Sequence, residues 1–133
     1  MSRRLVLDAS AALRIVLGEA DAPALLELVG EAAVVTTPDL FCSEVANALW
    51  KYVRIGQLRI DDATDRYELA LKLVDEIVPS AELGTEALAA AVRFEHPVYD
   101  MMYAVLARRH AAALLSRDRK LRRAARELRV ETA

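Results

Sequence analysis

The sequence predicts an α/β fold: a three-layer sandwich with a central, mostly parallel sheet of four or five strands flanked by helices. Three observations carry this. Short apolar or β-branched runs alternate with longer helical segments along the whole chain. Those runs lack the polar alternation of a half-exposed strand, as expected where both sheet faces are covered. Ala numbers 25 and Leu 20, so the two strongest helix formers dominate and helices should outweigh strands.

Each element follows from local signals. Residues 5–7 are a short apolar run ending at Asp8, which reads as a buried strand. Residues 10–17 form a short helix stopped by Gly18. Asp21 and Pro23 open a second helix, which Gly30 closes. Val34, Val35, Thr36 and Thr37 are all β-branched and make the second strand. Pro38 suits the first turn of the next helix, where its missing N–H costs nothing. That helix runs to Ile55 and stops at Gly56. Asp61 or Asp62 caps a further helix through about Asp75. Ile77 and Val78 are the third strand, stopped by Pro79. Ser80 caps a helix to about Glu95, and His96-Pro97 breaks the chain. Asp100 opens a helix to His110, residues 112–115 are the fourth strand, and Asp118 opens the last helix, to Leu128. Residues 129–131 are a candidate fifth, edge strand. No repeat or linker divides the chain, so residues 1–133 read as one domain.

Composition excludes several classes. A hydrophobic fraction of 55% excludes disorder. One cysteine, Cys42, cannot form an internal disulfide and reads as a small core hydrophobe. With His96 and His110 it cannot complete a four-ligand zinc set. The basic N-terminus precedes an apolar run, but Asp8 and Arg14 interrupt it, against a secretory leader. No apolar stretch is long enough to cross a membrane. A cytoplasmic protein is expected.

The net charge of −2 hides a division. Residues 103–133 carry nine basic and three acidic side chains, or +6; residues 1–102 carry nine and seventeen, or −8.

Four acids fall in informative places. In open α/β sheets ligands bind beyond the carboxyl ends of the strands. Asp8 follows the first strand, Asp118 lies just past the fourth, and Asp100 opens the helix before that fourth strand. Glu44 sits inside the helix after Pro38, at the edge of an apolar sector made by Phe41, Val45, Ala48, Leu49 and Tyr52. Each has a plain structural explanation. The three aspartates can be helix caps, and Glu44 a boundary residue paired with Lys51 or an arginine. Together they weigh differently. Clustered carboxylates raise one another's pKa, and the usual remedy is a hard cation such as Mg²⁺ or Mn²⁺. Ser10, Ser116 and Asn47 lie where they can orient these acids from behind.

The stretches LVLDASAAL, PDLFCSEVANALW, YDMMYAVLARR and LLSRDRKL resemble the motifs of the PIN domain. More narrowly they resemble the VapC-type ribonuclease toxins of toxin–antitoxin pairs, over residues 5–121. The resemblance implies a PIN-like fold and an endoribonuclease dependent on Mg²⁺ or Mn²⁺. It places the family's acidic quartet on Asp8, Glu44, Asp100 and Asp118, and its hydroxyl positions on Ser10 and Ser116. Met101 and Met102 depart from the smaller residues common after the third acid. RNA must approach an acidic site, so nearby cations are needed. Arg117, Arg119 and Lys120 are the first candidates, with Arg108, Arg109, Arg122, Arg123, Arg126 and Arg129 behind them. The resemblance also implies a cognate VapB-like antitoxin, a homodimer and a toxin–antitoxin hetero-oligomer. Trp50, Tyr52, Leu58, Tyr67 and Leu71 are candidates for the antitoxin groove. The alternative is a non-catalytic RNA-docking or regulatory module with a structural metal site. A phosphatase of the aspartate-nucleophile type wants a second aspartate where Ser10 stands. A receiver domain wants an aspartate after the third strand, where Pro79 and Ser80 stand.

Overall fold

The computed structural model describes residues 3–133. In chain order the elements are β1 (Arg4–Leu7), α1 (Ala9–Val16), α2 (Ala22–Glu31), β2 (Val34–Pro38), α3 (Leu40–Arg54) and α4 (Ile60–Lys72). They continue with β3 (Glu76–Val78), α5 (Ser80–Phe94), α6 (Val98–Arg109), β4 (Ala113–Leu115) and α7 (Arg119–Glu127). The four strands form one parallel sheet in the order β3-β2-β1-β4. The predicted three-layer α/β architecture is the one observed.

The strand order fixes where a site can form. From β1 the chain steps outward to β2 and then β3. It then returns across the sheet to β4, on the other side of β1. Right-handed crossovers place the helices of the outward steps on one face and those of the return on the other. The packing agrees: α1 contacts α2, α3 and α4, whereas α6 contacts α5 and α7. The reversal leaves a crevice between the carboxyl ends of β1 and β4. The core runs through this central pair. Val6, Leu7, Leu114 and Leu115 are fully buried, with Phe41 and Val45 of α3 and Met101, Val105 and Leu106 of α6. Met101 is fully buried in this core, where a flexible side chain can fill irregular gaps.

Several boundaries differ from the sequence reading. Pro38 ends β2, paired with Val78, instead of opening α3; a proline is tolerated at a strand end. Gly30 lies inside α2, which runs one residue further. Asp61 and Asp62 lie in the first turn of α4, where they face its positive end, and Arg59 holds the cap position. Asp75 lies beyond α4 and fastens the chain to β2, its carboxylate accepting from the Val35 amide at 2.8 Å. Ser80 starts α5 without capping it, because its hydroxyl donates to the Asp39 carboxylate. Asp100 is the third residue of α6, not its cap; Pro97 holds that place. Gly56 takes φ +79 just after α3, the left-handed region that glycine tolerates best. The expected fifth strand is reduced to a parallel bridge between Leu114 and Thr132. Cys42 is half-buried against the core. Among the described residues no helix is long and apolar enough to cross a membrane.

Candidate active site

The switch point between β1 and β4 is built by side chains from both strand ends. Asp8 follows β1 and caps α1, its carboxylate accepting from the Ala11 amide at 3.0 Å. The Asp8 amide donates to the Leu115 carbonyl at 3.1 Å, so the ladder continues one residue past β1, against the last residue of β4. Two serine hydroxyls then hold the carboxylate. Ser10 donates to Oδ1 at 2.7 Å and Ser116 to Oδ2 at 2.8 Å. Each hydroxyl also accepts a backbone amide: Arg117 donates to Ser10 at 2.9 Å, and Asp118 donates to Ser116 at 3.0 Å. A hydroxyl has one proton. Both are committed to Asp8, so the 3.4 Å approach of the two serines is a contact and not a further bond. Thr37 reinforces the corner from β2, donating to the Leu7 carbonyl at 2.7 Å.

Asp8 is 4% exposed. Burial pushes its carboxyl up to about 6; the Ser10, Ala11 and Ser116 bonds oppose the shift and the charge of Asp118 adds to it. Asp118 is the N-cap of α7, its Oδ1 accepting from the Lys120 and Leu121 amides at 2.8 and 3.2 Å. The capping explanation thus holds for Asp8 and Asp118. It fails for Asp100: its Oδ2 is buried without a hydrogen-bond partner among the described residues. Burial raises the Asp100 carboxyl, as does Asp118, while Lys120 and His96 lower it.

Glu44 reaches the same region from α3. Its carboxyl is raised by burial and by the charges of Asp8, Asp100 and Asp118. It makes no ion pair with Lys51 among the described residues, and Asn47 does not hold it. Its Oε1 instead accepts from the Tyr103 hydroxyl at 2.6 Å. Asn47 and Glu44 line a broad depression of about 670 Å³ with Leu40, Ser43 and Tyr99. Tyr103 is absent from the sequence reading. The signal was there: it stands three residues after Asp100, on a neighbouring helix face, in an otherwise apolar stretch.

The four acids sense one another's charge, yet no three His, Cys, Asp or Glu side chains among the described residues form a ready-made metal cluster. Each of Asp8, Glu44 and Asp118 rests on a hydroxyl or amide donor. The donor set nevertheless fits a hard divalent cation. It consists of carboxylate oxygens, and Asp100 Oδ2 is buried with uncommitted lone pairs.

The surrounding cations separate into engaged and available groups. Arg108 and Arg109 share the Glu86 carboxylate, each at 2.6 Å, and tie α6 to α5. Arg117 lies 3.3 Å from Asp21, which Arg14 also holds at 2.7 Å. Arg122 donates to the carbonyls of Ser116 and Ala133, both at 3.1 Å. Arg119, Lys120, Arg123 and Arg126 are exposed and make no side-chain bond among the described residues. Arg119, Arg123 and Arg126 share one face of α7, at i, i+4 and i+7.

Between α3 and α4 lies an apolar groove of about 270 Å³ lined by Ala46, Leu49, Trp50, Val53, Ile60, Ala63, Thr64 and Tyr67. Trp50 and Tyr67 line it as expected. Tyr52, Leu58 and Leu71 do not; Leu58 and Leu71 face the core instead.

Residues 5–127 match the PIN domain. The chain is 35% identical over 120 residues to Ribonuclease VapC3 of Pyrobaculum aerophilum, covering 89% of this chain and 92% of that protein. The fold is similar to the crystal structure of PAE2754 from Pyrobaculum aerophilum, with TM-score 0.73 and 23% identity over 95% of this chain and 86% of that one. It is also similar to VapBC2 from Rickettsia felis, solved bound to a DNA fragment from the promoter, with TM-score 0.68 and 12% identity over 98% and 97% of the two chains.

Proposed function

The chain belongs to the PIN-domain family, in its VapC-type branch, and on that premise we propose that it is a metal-dependent endoribonuclease, the toxin of a toxin–antitoxin pair. It acts as one domain over residues 1–133, in the cytoplasm, as a homodimer and with a VapB-like antitoxin. The observation that carries the reading is the meeting of Asp8 and Ser116 at the switch point, with Asp118 two residues on and the buried, unpartnered Asp100 Oδ2 in electrostatic range.

Asp8, Glu44, Asp100 and Asp118 would hold a cation such as Mg²⁺ or Mn²⁺. Bound there, it supplies a lowered pKa to water and offsets charge on the scissile phosphate. The protein's share is preorganisation. Ser10 and Ser116 fix both oxygens of Asp8, and their amide contacts fix the Arg117–Asp118 corner against it. Asp100 Oδ2 is a buried carboxylate oxygen with lone pairs uncommitted. Arg119, Lys120, Arg123 and Arg126 attract the RNA backbone toward an acidic centre that alone would repel it. In the hydrolysis, the oxygen of water joins phosphorus and the P–O3′ bond breaks, leaving a 5′-phosphate and a 3′-hydroxyl. No side chain forms a covalent bond.

The antitoxin is placed on the α3–α4 groove, where Trp50 and Ile60 stay exposed. The deciding experiment incubates purified protein with RNA in Mg²⁺, in Mn²⁺ and in EDTA, beside Asp8→Asn. Cleavage only with metal, leaving 5′-phosphate ends and lost in the variant, is expected. Cleavage that survives EDTA, or survives in Asp8→Asn within a few-fold, overturns the reading.

A further inference from the structure

Four segments carry the acidic residues around the switch point, and one buried side chain touches or belongs to three of them. Tyr103 lies on α6, three residues beyond Asp100, and is 2% exposed. Its hydroxyl donates to Glu44 Oε1 on α3 at 2.6 Å. The amide of Ala9, the residue after Asp8, faces the phenol oxygen. A glutamate on an outward helix position has three rotatable side-chain bonds and no fixed carboxylate orientation. Here one short bond to a rigid, buried ring fixes it. The bond takes Oε1 and leaves Oε2 as the oxygen available to a ligand. Metal-binding carboxylates are commonly oriented in this way by an outer hydrogen bond.

We propose that Tyr103 is a positioning residue for the acidic site: it locks Glu44 so that Oε2 acts as a one-oxygen ligand in fixed register with Asp8 and Asp100. This rests on the metal-dependent reading above. A tyrosine that merely satisfies its own hydroxyl in the core would contribute to stability alone. The two roles separate in a cycle of Tyr103→Phe, Glu44→Gln and the double variant, reading Mn²⁺ affinity by calorimetry and metal-free melting temperature.

Removing the hydroxyl keeps the ring, so Tyr103→Phe should melt within a few degrees of the parent. It should bind Mn²⁺ about 10–100-fold more weakly. In the Glu44→Gln background the same change should cost no further affinity, since its route to the metal is already gone. RNA cleavage should fall through kcat with KM unchanged. Unaltered Mn²⁺ affinity in Tyr103→Phe, beside normal binding by the parent, overturns the positioning role alone. An equal loss in both backgrounds also overturns it, because the effect would not pass through Glu44. A parent protein that binds no Mn²⁺ overturns the metal reading and this one with it.

Discussion

Asp8 and Ser116, 108 positions apart in the chain, meet through a 2.8 Å hydrogen bond in which the serine donates. The bond joins the ends of the two central strands. Ser116 is fully buried, so water cannot readily replace it. Ser116→Ala removes the donor to Asp8 Oδ2 and the acceptor of the Asp118 amide together. A stability loss of about 1–3 kcal/mol is expected, with RNA cleavage down about 10–100-fold. Ser116→Thr keeps the hydroxyl and should retain most activity. Thermal melts and initial cleavage rates check both, and an active, fully stable Ser116→Ala would show the bond to be idle.

The buried Asp8 makes metal-free stability depend on pH. Its carboxyl moves from 3.8 to about 6 on folding. The native state therefore keeps a proton that the unfolded chain releases first. This contribution is fully present below about pH 4 and is lost as pH rises through about 6; the total is ~3 kcal/mol. Glu44 and Asp100 shift in the same direction. In EDTA, Asp8→Asn should melt above the parent at pH 7.5, and the gap should close toward pH 4. A gap that widens on acidification contradicts the assignment.

The sorting of cations predicts a selective salt response. Arg119→Gln with Arg123→Gln removes two exposed guanidiniums that have no partner among the described residues. The slope of log affinity against log salt for single-stranded RNA should fall by about 1.4, or ~0.7 per lost phosphate contact. Arg108→Gln with Arg109→Gln breaks the Glu86 link between α5 and α6 and should leave the slope unchanged. Fluorescence anisotropy in EDTA, without turnover, measures both. Equal slopes in all three proteins would remove α7 from the RNA path.

The α3–α4 groove gives a separable prediction about the partner. Trp50 is 52% exposed and Ile60 64%, and both line the apolar groove, which includes none of the four acids. Trp50→Ala or Ile60→Asp should weaken copurification with a coexpressed cognate antitoxin at least tenfold while leaving cleavage of RNA unchanged. Undiminished copurification would place the antitoxin elsewhere.

Much of the site is written into local sequence. Asp8, Asp118 and Ser10 announce themselves because a cap and a turn need only their immediate neighbours. Glu44 stands out as an acid at the edge of an apolar sector. Asp100 could be read as a cap because an aspartate soon after His96-Pro97 often is one, and the position of Pro97 three residues earlier moved the helix start. Tyr103 went unread and Asn47 was given its place, because which side chain reaches Glu44 depends on how side chains of α3 and α6 meet across the fold. The same limit applies to the arginines: nine cations look alike until Glu86 and Asp21 claim three of them.

The sequence by itself determined the alternation of strands and helices, the four acids and the basic C-terminal region, all properties of spacing and composition. Tertiary structure decided which groups meet. The β3-β2-β1-β4 order brings Ser116 against Asp8 and opens the crevice between them. The packing of α6 buries Asp100 Oδ2 without a partner and sets Tyr103 against Glu44. Burial and long-range contact set the pKa of a carboxyl and the availability of a lone pair, and neither is a property of a residue's neighbours along the chain.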